Sequence, residues 1–370
     1  MLLTPKLNRT HCMLAIKKEG IILQKTENEF ENEGVCNPAI MQEGNTVHIL
    51  YRAVRKGNYS TIGYCKLEGP LKVIERNQKP LLSPNAEFES HGMEDPRIVK
   101  IEDIYYLSYT AYDGINALGA LATSFDLITI ERHGIIVPQI TYEEFQRLAE
   151  CNAHLNQKYE RFHVHNNIKN NPNKTMLLWD KNLIFFPRKI DNKIYFLHRI
   201  RPDIQIACVT SLNELTATYW QNYFLNLDKN IVLSPKYHHE ISYIGGGCPP
   251  IETKEGWLII YHGVHDTKDG YVYSACAALL DLQHPEIEIA RLPYPLFKPE
   301  LPYELKGEVD NVVFPSGTAL FDERLFIYYG AADKHIAVAS VDLKQLVKEL
   351  EQYPTKTAKT AINKDLDHKL

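Results

Sequence analysis

Three features are missing or scarce in this 370-residue sequence, and each excludes a class of protein. No apolar run reaches membrane-spanning length and no signal-type apolar core opens the chain, so we expect neither a membrane span nor export. The net charge is -5, which argues against nucleic acid as a partner. The seven cysteines include no CxxC pair, which argues against a zinc site or a disulfide framework. We therefore expect a cytoplasmic protein without a metal, and a homo-oligomer remains open.

Five copies of one pattern organise the sequence. Each copy has a strand, a polar turn, an aromatic-rich strand that ends in polar residues, and a strand of small residues, with room for a fourth strand in the linking segment. The copies begin at Asn37, Asp95, Asn182, Cys248 and Asn311. Repeated sheets of roughly 60 residues are typical of β-propeller blades. The sequence therefore predicts an all-β, five-bladed propeller, and a β-sandwich with coincidental repeats is the alternative.

Two segments fall outside the repeat. Residues 141–175 start like a helix and continue as a polar run, which we interpret as an insertion between the second and third blades. Asp342 is a candidate N-cap for a short C-terminal helix over 343–353, which Pro354 would end. We predict one domain over residues 1–353 and a disordered tail over 354–370.

The stretch 90–97 concentrates four ionisable residues immediately before an aromatic, strand-like run. Its Pro96 cannot donate a ladder hydrogen bond and belongs at a strand start or in a loop. Catalytic groups concentrate on such loops. We therefore predict that this stretch holds Glu94, Asp95 and Arg97 at the mouth of a strand. The alternative is a surface turn with a local Glu–Arg pair.

The polar strand ends of a propeller converge on the mouth of its central channel, so the repeats predict which side chains meet. The set comprises Arg52, Asp95, Tyr109, Asp113, Lys181, Asn182, Arg199, Arg201, His262, Tyr273, Asp310, Asn311 and Asp333. Together they would form a pocket that is acidic on one side and basic on the other. Carboxylates and aromatic rings suit a sugar, whereas arginine, lysine and histidine suit an anion such as phosphate.

These residues resemble glycoside hydrolase family 130, the β-mannoside phosphorylases and related β-1,2-mannosidases. The resemblance rests on the stretches 50–53, 92–97, 197–199, 245–253, 256–263 and 328–333, and it covers about residues 30–345 in order. It implies a five-bladed propeller, in agreement with the repeat count, and an inverting enzyme that acts on an oligosaccharide.

The resemblance also implies roles for individual residues. Asp95 matches the general acid, which is thought to relay a proton through a mannose hydroxyl to the glycosidic oxygen. The substrate-binding positions are Arg52, Glu94, Arg97, Asp113, Asn182, Asp310, Asn311 and Asp333. The phosphate-binding positions are Lys181, Arg199, His262 and Tyr273. Phosphate would be a co-substrate, and no cofactor is implied. For Arg52 and Asp113, an ion pair that joins two blades is the alternative.

One departure from the family bears on the reaction. Phosphorylases that this chain resembles commonly carry a lysine where Tyr243 stands, and Glu240 lies nearby. An inverting hydrolase needs a second carboxylate to activate water, whereas phosphate arrives ionised and needs charge neutralisation. Because Lys181, Arg199 and His262 are present, we favour phosphorolysis over hydrolysis. A sugar-binding propeller without catalysis is a third reading, against which the Glu94–Asp95 pair argues.

Overall fold

The computed structural model describes residues 14–150, 152, 155–159 and 175–355. This part of the chain is built mostly from antiparallel β-strands. The first strand, β1 (Lys17–Leu23), pairs with the last, β21 (His335–Asp342). Most of the predicted insertion and the tail beyond Thr355 lie outside the described residues. No helix in the described ranges is long and apolar enough to cross a membrane.

The first two repeats share an eight-stranded sheet that divides into two antiparallel units. Unit one contains β2 (Gly34–Glu43), β3 (Thr46–Arg55), β4 (Tyr59–Glu68) and β5 (Lys72–Arg76). Unit two contains β6 (Gly92–Ile101), β7 (Ile104–Tyr112), β8 (Ala117–Ser124) and β9 (Ile130–Ile135). A parallel bridge between Ser60 and Gly92 joins the two units.

The other three repeats form separate sheets. Unit three follows helix α1 (Tyr142–Ala149) and contains β10 (Lys181–Phe185), β11 (Ile194–Arg199), β12 (Ile204–Val209), helix α2 (Ala217–Phe224) and β13 (Ile231–Leu233). Unit four contains β14 (Tyr243–Gly246), β15 (Ile251–Glu252), β16 (Trp257–Thr267), β17 (Gly270–Leu280) and β18 (Glu288–Arg291). Unit five contains α3 (Pro302–Leu305), β19 (Val313–Phe321), β20 (Arg324–Ala331) and β21, and α4 (Leu343–Leu350) follows it. Its fourth strand is β1, which the sequence did not predict.

The predicted polar turns are hairpin turns. Asp191 and Asn192, between β10 and β11, have φ of 47° and 61°. Asp322 and Glu323, between β19 and β20, have φ of 46° and 64°. Two consecutive left-handed residues match the right-handed twist of the flanking strands. These turns therefore fix the register of the first two strands in each of these units.

Helices α1 and α4 begin at a side-chain cap, and one of these caps, Asp342, was predicted. The Thr141 side chain accepts a hydrogen bond from the Glu144 backbone N–H at the start of α1, and the Glu144 side chain accepts one from the Thr141 N–H. Phe145 of α1 then packs edge-on against Phe224 of α2, with ring centroids 5.3 Å apart, which attaches this helix to unit three. Asp342 caps α4, as predicted, and the helix ends at Leu350 rather than at residue 353.

The central strands are buried on both faces because their alternate side chains contact different units. In β16, Trp257, Ile259 and Tyr261 pack with unit three, whereas Leu258 and Ile260 pack with unit five. A strand that is buried on both faces has a nearly continuous run of apolar residues in its sequence. The apolar runs in the sequence therefore mark strands between neighbouring units.

Five hydrophobic clusters lie between the units. One joins units one and two, and further clusters join units two and three, three and four, and four and five. The fifth joins unit five to unit one, and includes Leu23 of β1. Each unit therefore packs against two others, although no single hydrogen-bonded sheet closes on itself among the described strands.

Candidate active site

Breaks in strand register turn three side chains toward a common point. The pairing of β2, β6 and β10 with their neighbours shifts at Asn37, Asp95 and Asn182. These residues have φ of 50°, 49° and 53°, a left-handed conformation that Asn and Asp tolerate better than other side chains do. The Asn37 Nδ2 atom donates a hydrogen bond to Asp95 Oδ1 over 2.7 Å. Equivalent bulges therefore bring units one and two into contact at the predicted site.

The side facing units one, two and five carries the acidic groups. The Arg52 Nη2 atom donates to Glu94 Oε1 over 2.8 Å, and Arg52 Nη1 lies 3.6 Å from Asp95 Oδ1. Lys181 Nζ lies 3.3 Å from Glu94 Oε2. We call Asn37, Arg52, Glu94, Asp95, Lys181 and Asp333 the acidic half. Lys181, predicted to bind phosphate, is thus paired with a carboxylate.

Two carboxyl groups of the acidic half have pKa values that are shifted in opposite directions. Burial alone would raise the pKa of Asp95, but the charges of Arg52 and Lys181 and the Asn37 hydrogen bond lower it below its ordinary value. Burial raises the pKa of Asp333 to about 6, and the negative charges of Asp95 and Glu94 add to this effect against the attraction of Arg52. Near neutral pH, Asp95 is therefore ionised and Asp333 is close to its titration point.

Units three and four contribute a group of cationic and aromatic side chains. Arg199 is 6% exposed, and its Nε atom has no hydrogen-bond partner in the described structure. Its guanidinium lies 5.5 Å from the centre of the Tyr243 ring, and that of Arg201 lies 4.1 Å from the same centre. Burial and the neighbouring Arg201 lower the pKa of Arg199 to about 10. We call Asn182, Arg199, Arg201, Tyr243, His262 and Tyr273 the basic half.

His262 is a neutral imidazole in the basic half. It is fully buried, and neither ring nitrogen has a hydrogen-bond partner among the described residues. Burial, with the charges of Arg199 and Arg97, holds its pKa well below the ordinary value. The Asn182 Oδ1 atom is also buried without a partner. Buried polar atoms without partners are uncommon and mark a place where a ligand or water completes the bonding.

Gly245 makes room for these two side chains. A Cβ atom at this position would lie 2.5 Å from the His262 ring and 2.7 Å from Asn182 Oδ1. Any other residue would therefore displace His262, Asn182 or both. The glycine-rich stretch at the start of unit four is thus part of the construction of the basic half.

Comparison with known proteins identifies the family. The family model of glycoside hydrolase family 130, described as beta-1,4-mannooligosaccharide phosphorylase, matches residues 16–352. The chain belongs to this family. It is 34% identical over 350 residues to the 1,2-beta-oligomannan phosphorylase of Thermoanaerobacter sp., with 90% of this chain and 99% of the relative covered. A beta-1,2-mannobiose phosphorylase of the same organism is also 34% identical over 350 residues, with 90% of this chain and 98% of the relative covered.

Solved structures of family 130 share the fold. The beta-1,2-mannobiose phosphorylase of Listeria innocua superposes with a TM-score of 0.68 at 23% identity, covering 91% of this chain and 99% of that one. A second structure, described as one of the glycoside hydrolases of this family that target beta-1,2 mannosidic linkages in Candida mannan, gives 0.69 at 22% identity, covering 92% and 96%. At these identities the likeness speaks for the fold and not for the reaction.

Four units of this family 130 chain contain the same buried triad of tyrosine, glutamate and a cation. The tyrosine hydroxyl donates a hydrogen bond to the glutamate, and an arginine or lysine from the outer strand forms an ion pair with the same glutamate. The triads are Tyr51–Glu31–Arg76, Tyr109–Glu89–Arg132, Tyr261–Glu240–Arg291 and Tyr329–Glu304–Lys18. Unit three has His198 between Asp180 and Tyr223 at the corresponding strand position. The triads therefore belong to the repeat rather than to one site.

The triads correct two expectations from the sequence. Tyr109 was predicted to lie with the pocket residues, but its hydroxyl is bound to Glu89 inside unit two. Glu240, the candidate base of a hydrolase, is fully buried and bonded to Tyr261 and Arg291. Its geometry matches the glutamates of three other units, so the repeat accounts for its position.

Four of the predicted sugar-binding residues make contacts other than those expected. Asp310 is partly exposed and pairs with Lys306, while the carbonyl oxygen of Asn311 accepts a hydrogen bond from the Tyr273 backbone N–H. The Asp113 carboxyl accepts hydrogen bonds from backbone N–H groups of its own loop, at Ile115 and Asn116, rather than from Arg52. The fully buried guanidinium of Arg97 donates to backbone carbonyls of Pro96 and Gly247. Arg97 therefore connects the bulge of unit two to unit four.

Three residues of the site were missed or left without a role. Asn37 was recognised only as the start of a repeat, although Asn-Pro here and Asp-Pro in unit two occupy the same bulge. Arg201 was placed at the channel mouth but given no role, and Tyr243 was read as a departure from the family. The alternating polar pattern around Arg199 and Arg201 was the available signal for a pair of arginines.

Proposed function

We propose that this chain is an inverting phosphorylase that cleaves β-1,2-linked mannosides with inorganic phosphate and releases mannose 1-phosphate. The observation that carries this proposal is the basic half. Among the described residues, no carboxylate is hydrogen-bonded to the buried Arg199, and buried polar atoms of Arg199, Asn182 and His262 have no hydrogen-bond partner. The β-1,2 linkage follows the two relatives that match over 90% of the chain. Charge-assisted hydrogen bonds to an oxyanion would satisfy such a site.

In the proposed reaction, a phosphate oxygen bonds to the anomeric carbon as the bond between that carbon and the glycosidic oxygen breaks. The leaving oxygen takes a proton from a mannose hydroxyl, and Asp95 replaces that proton. Asp95 must therefore be protonated, although Arg52 and Lys181 favour its carboxylate in the unliganded pocket. A phosphate dianion in the basic half adds negative charge, and a bound sugar displaces water, so both substrates raise the Asp95 pKa.

The hydrolytic alternative is less well supported, because the carboxylate predicted as its base is engaged in another contact. Inverting hydrolysis requires a second carboxylate across from the acid, at a distance that admits water. Glu240, the candidate for that role, is held in the buried triad of unit four. Phosphate needs no base, since it enters as an anion and is stabilised by fixed positive charge.

We also infer that the five units are the blades of a closed propeller. The support is the set of five hydrophobic clusters, each between consecutive units, with the fifth between unit five and unit one. The pairing of β1 with β21 supplies the fourth strand of the last blade. Such closure would place the acidic and basic halves on opposite sides of one central channel.

The decisive experiment is incubation of the purified chain with β-1,2-mannobiose and a β-1,4-linked comparator, with and without phosphate. We expect α-mannose 1-phosphate, detected by phosphorus NMR, only when phosphate is present, and sulfate should inhibit competitively with phosphate. Release of free mannose at equal rates with and without phosphate would instead assign the chain to hydrolysis. An absence of turnover on any mannoside would support the sugar-binding reading.

A further inference from the structure

Arg201 and Tyr243 belong to the basic half, but the proposed reaction gives neither residue a role of its own. Arg201 lies two residues beyond β11, and its Nη2 atom donates to the Tyr243 hydroxyl over 3.2 Å. The guanidinium also stacks on the Tyr243 ring at 4.1 Å from the centroid. The same residue thus makes a hydrogen bond and a cation–π contact, so its head group is confined rather than free to rotate.

Tyr243 is itself held firmly. It is 1% exposed, its hydroxyl shares a hydrogen bond with that of Tyr273, and its strand neighbour Ile244 donates through its backbone to the Pro202 carbonyl over 3.0 Å. That last bond attaches the chain immediately after Arg201 to β14. The Tyr243 ring is therefore held in place, and it makes a cation–π contact with each of Arg201 and Arg199.

The guanidinium groups of Arg199 and Arg201 are close enough for their positive charges to repel each other. The charge of Arg201 contributes to lowering the pKa of Arg199 to about 10, after burial, and it also acts on His262. The nearby Tyr273 hydroxyl is neutral near pH 7, because burial raises its pKa well above the ordinary value. A neighbouring anion with two negative charges would relieve this repulsion.

We propose that Arg201 is a further phosphate ligand and that Tyr243 is its positioning residue, so that two guanidinium groups supported by one tyrosine ring hold the attacking phosphate. This inference rests on the proposed phosphorolysis. The arrangement explains how Tyr243 can replace the lysine of related phosphorylases without removing a positive charge from the pocket. Arg201 carries the charge, and the Tyr243 ring fixes the direction of its guanidinium. Arginine presents paired donors to two phosphate oxygens, which a lysine cannot do.

The test compares variants at both positions by steady-state kinetics and by calorimetric titration with inorganic phosphate. R201A should raise the phosphate KM roughly 10- to 100-fold and leave the mannoside KM within about threefold. R201K should recover only part of the loss, since it restores charge without the planar fork. Y243F should keep most of the phosphate affinity because the ring remains. Y243L removes the ring and should lower the phosphate affinity about as much as R201K does.

R188A is the matched control, because Arg188 belongs to the same unit, pairs with Glu252 and is not part of the basic half. A phosphate KM for R201A within twofold of wild type, in an enzyme that requires phosphate, would overturn the inference. If R201A does not fold, R201K and Y243L decide by the same measure. A wild-type chain that neither requires nor binds phosphate would overturn the proposed function itself, so the two failures are distinguishable.

Discussion

The acidic and basic halves of the pocket are completed in different ways. In the acidic half, Glu94 is bound by Arg52 and Lys181, and Asp95 by Asn37 and Arg52. Among the described residues, the basic half leaves three buried atoms of Arg199 and His262 without hydrogen-bond partners, whereas the acidic half leaves one, Asn37 Oδ1. We propose that the first arrangement is preformed for a neutral ligand whose hydroxyls exchange for water, and that the second is completed by an anion. In this proposal the acidic half binds the sugar and the basic half binds the phosphate.

The strongest test of the acidic half is D95N. It keeps the size of the side chain and the Arg52–Glu94 pair but removes the transferable proton, so kcat for phosphorolysis should fall at least about 100-fold while the melting temperature changes little. D103N, in the exposed turn of the same β6–β7 hairpin, is the matched control. Retention of more than a tenth of wild-type activity would remove Asp95 from the acid role.

A second test asks whether the basic half conceals a carboxylate base. E240Q should lower the free energy of unfolding by about 2–4 kcal/mol, because it weakens a buried ion pair with Arg291, and should leave phosphorolysis within about threefold of wild type. E31Q breaks the equivalent triad of unit one and should give a similar loss in urea denaturation. A 100-fold loss of activity in E240Q without loss of stability would restore the hydrolytic assignment.

The third test removes one cation from the basic half. R199A should raise the phosphate KM roughly 10- to 100-fold through loss of a charged contact, with a much smaller change in the mannoside KM. K181A should show the reverse bias, since Lys181 pairs with Glu94 on the acidic half. Equal effects of both variants on both substrates, measured by initial rates, would mean that the two halves do not bind separate ligands.

The smallest effect concerns Asp333. Its folded-state pKa of about 6 lies above the ordinary value. At pH values between these two pKa values, the native state therefore keeps a proton that the unfolded state has released. Its contribution to stability therefore falls as pH rises from about 4 through 6. D333N should raise the free energy of unfolding at pH 8 by about 1–2 kcal/mol and change it little at pH 4. A gain of equal size at both pH values, measured by thermal denaturation, would contradict this titration.

Much of the fold was predictable because each repeat carries its own local signals. The turn pairs Asp191-Asn192 and Asp322-Glu323 adopt the left-handed angles that fix a two-residue hairpin. Most fourth strands also follow directly along the chain. The exception is unit five, where β1 is more than 300 residues away, a pairing that no local pattern specifies.

The site was predictable only in part, because strand ends indicate which residues are near the pocket but not where they point. Asp95, Arg199 and His262 lie where the pattern placed them, whereas Asp310 pairs with Lys306 at the surface. Bulges decide the direction of Asn37 and Asn182, and a bulge depends on the partner strand. The triads combine residues such as Glu31 and Arg76 from distant strands, so only the repeated tyrosine was visible in sequence.

The last triad has a consequence for how the molecule is made. Glu304 is buried in unit five, yet its cation, Lys18, arrives on β1 from the opposite end of the chain. During synthesis β1 stays unpaired until β21, more than 300 residues later in the chain, has emerged. Until it docks, β21 presents an open apolar edge and Glu304 has no countercharge, so the late intermediate is both exposed to aggregation and destabilised. Residues 17–23 therefore complete the four-stranded sheet of unit five only after its other three strands have been made.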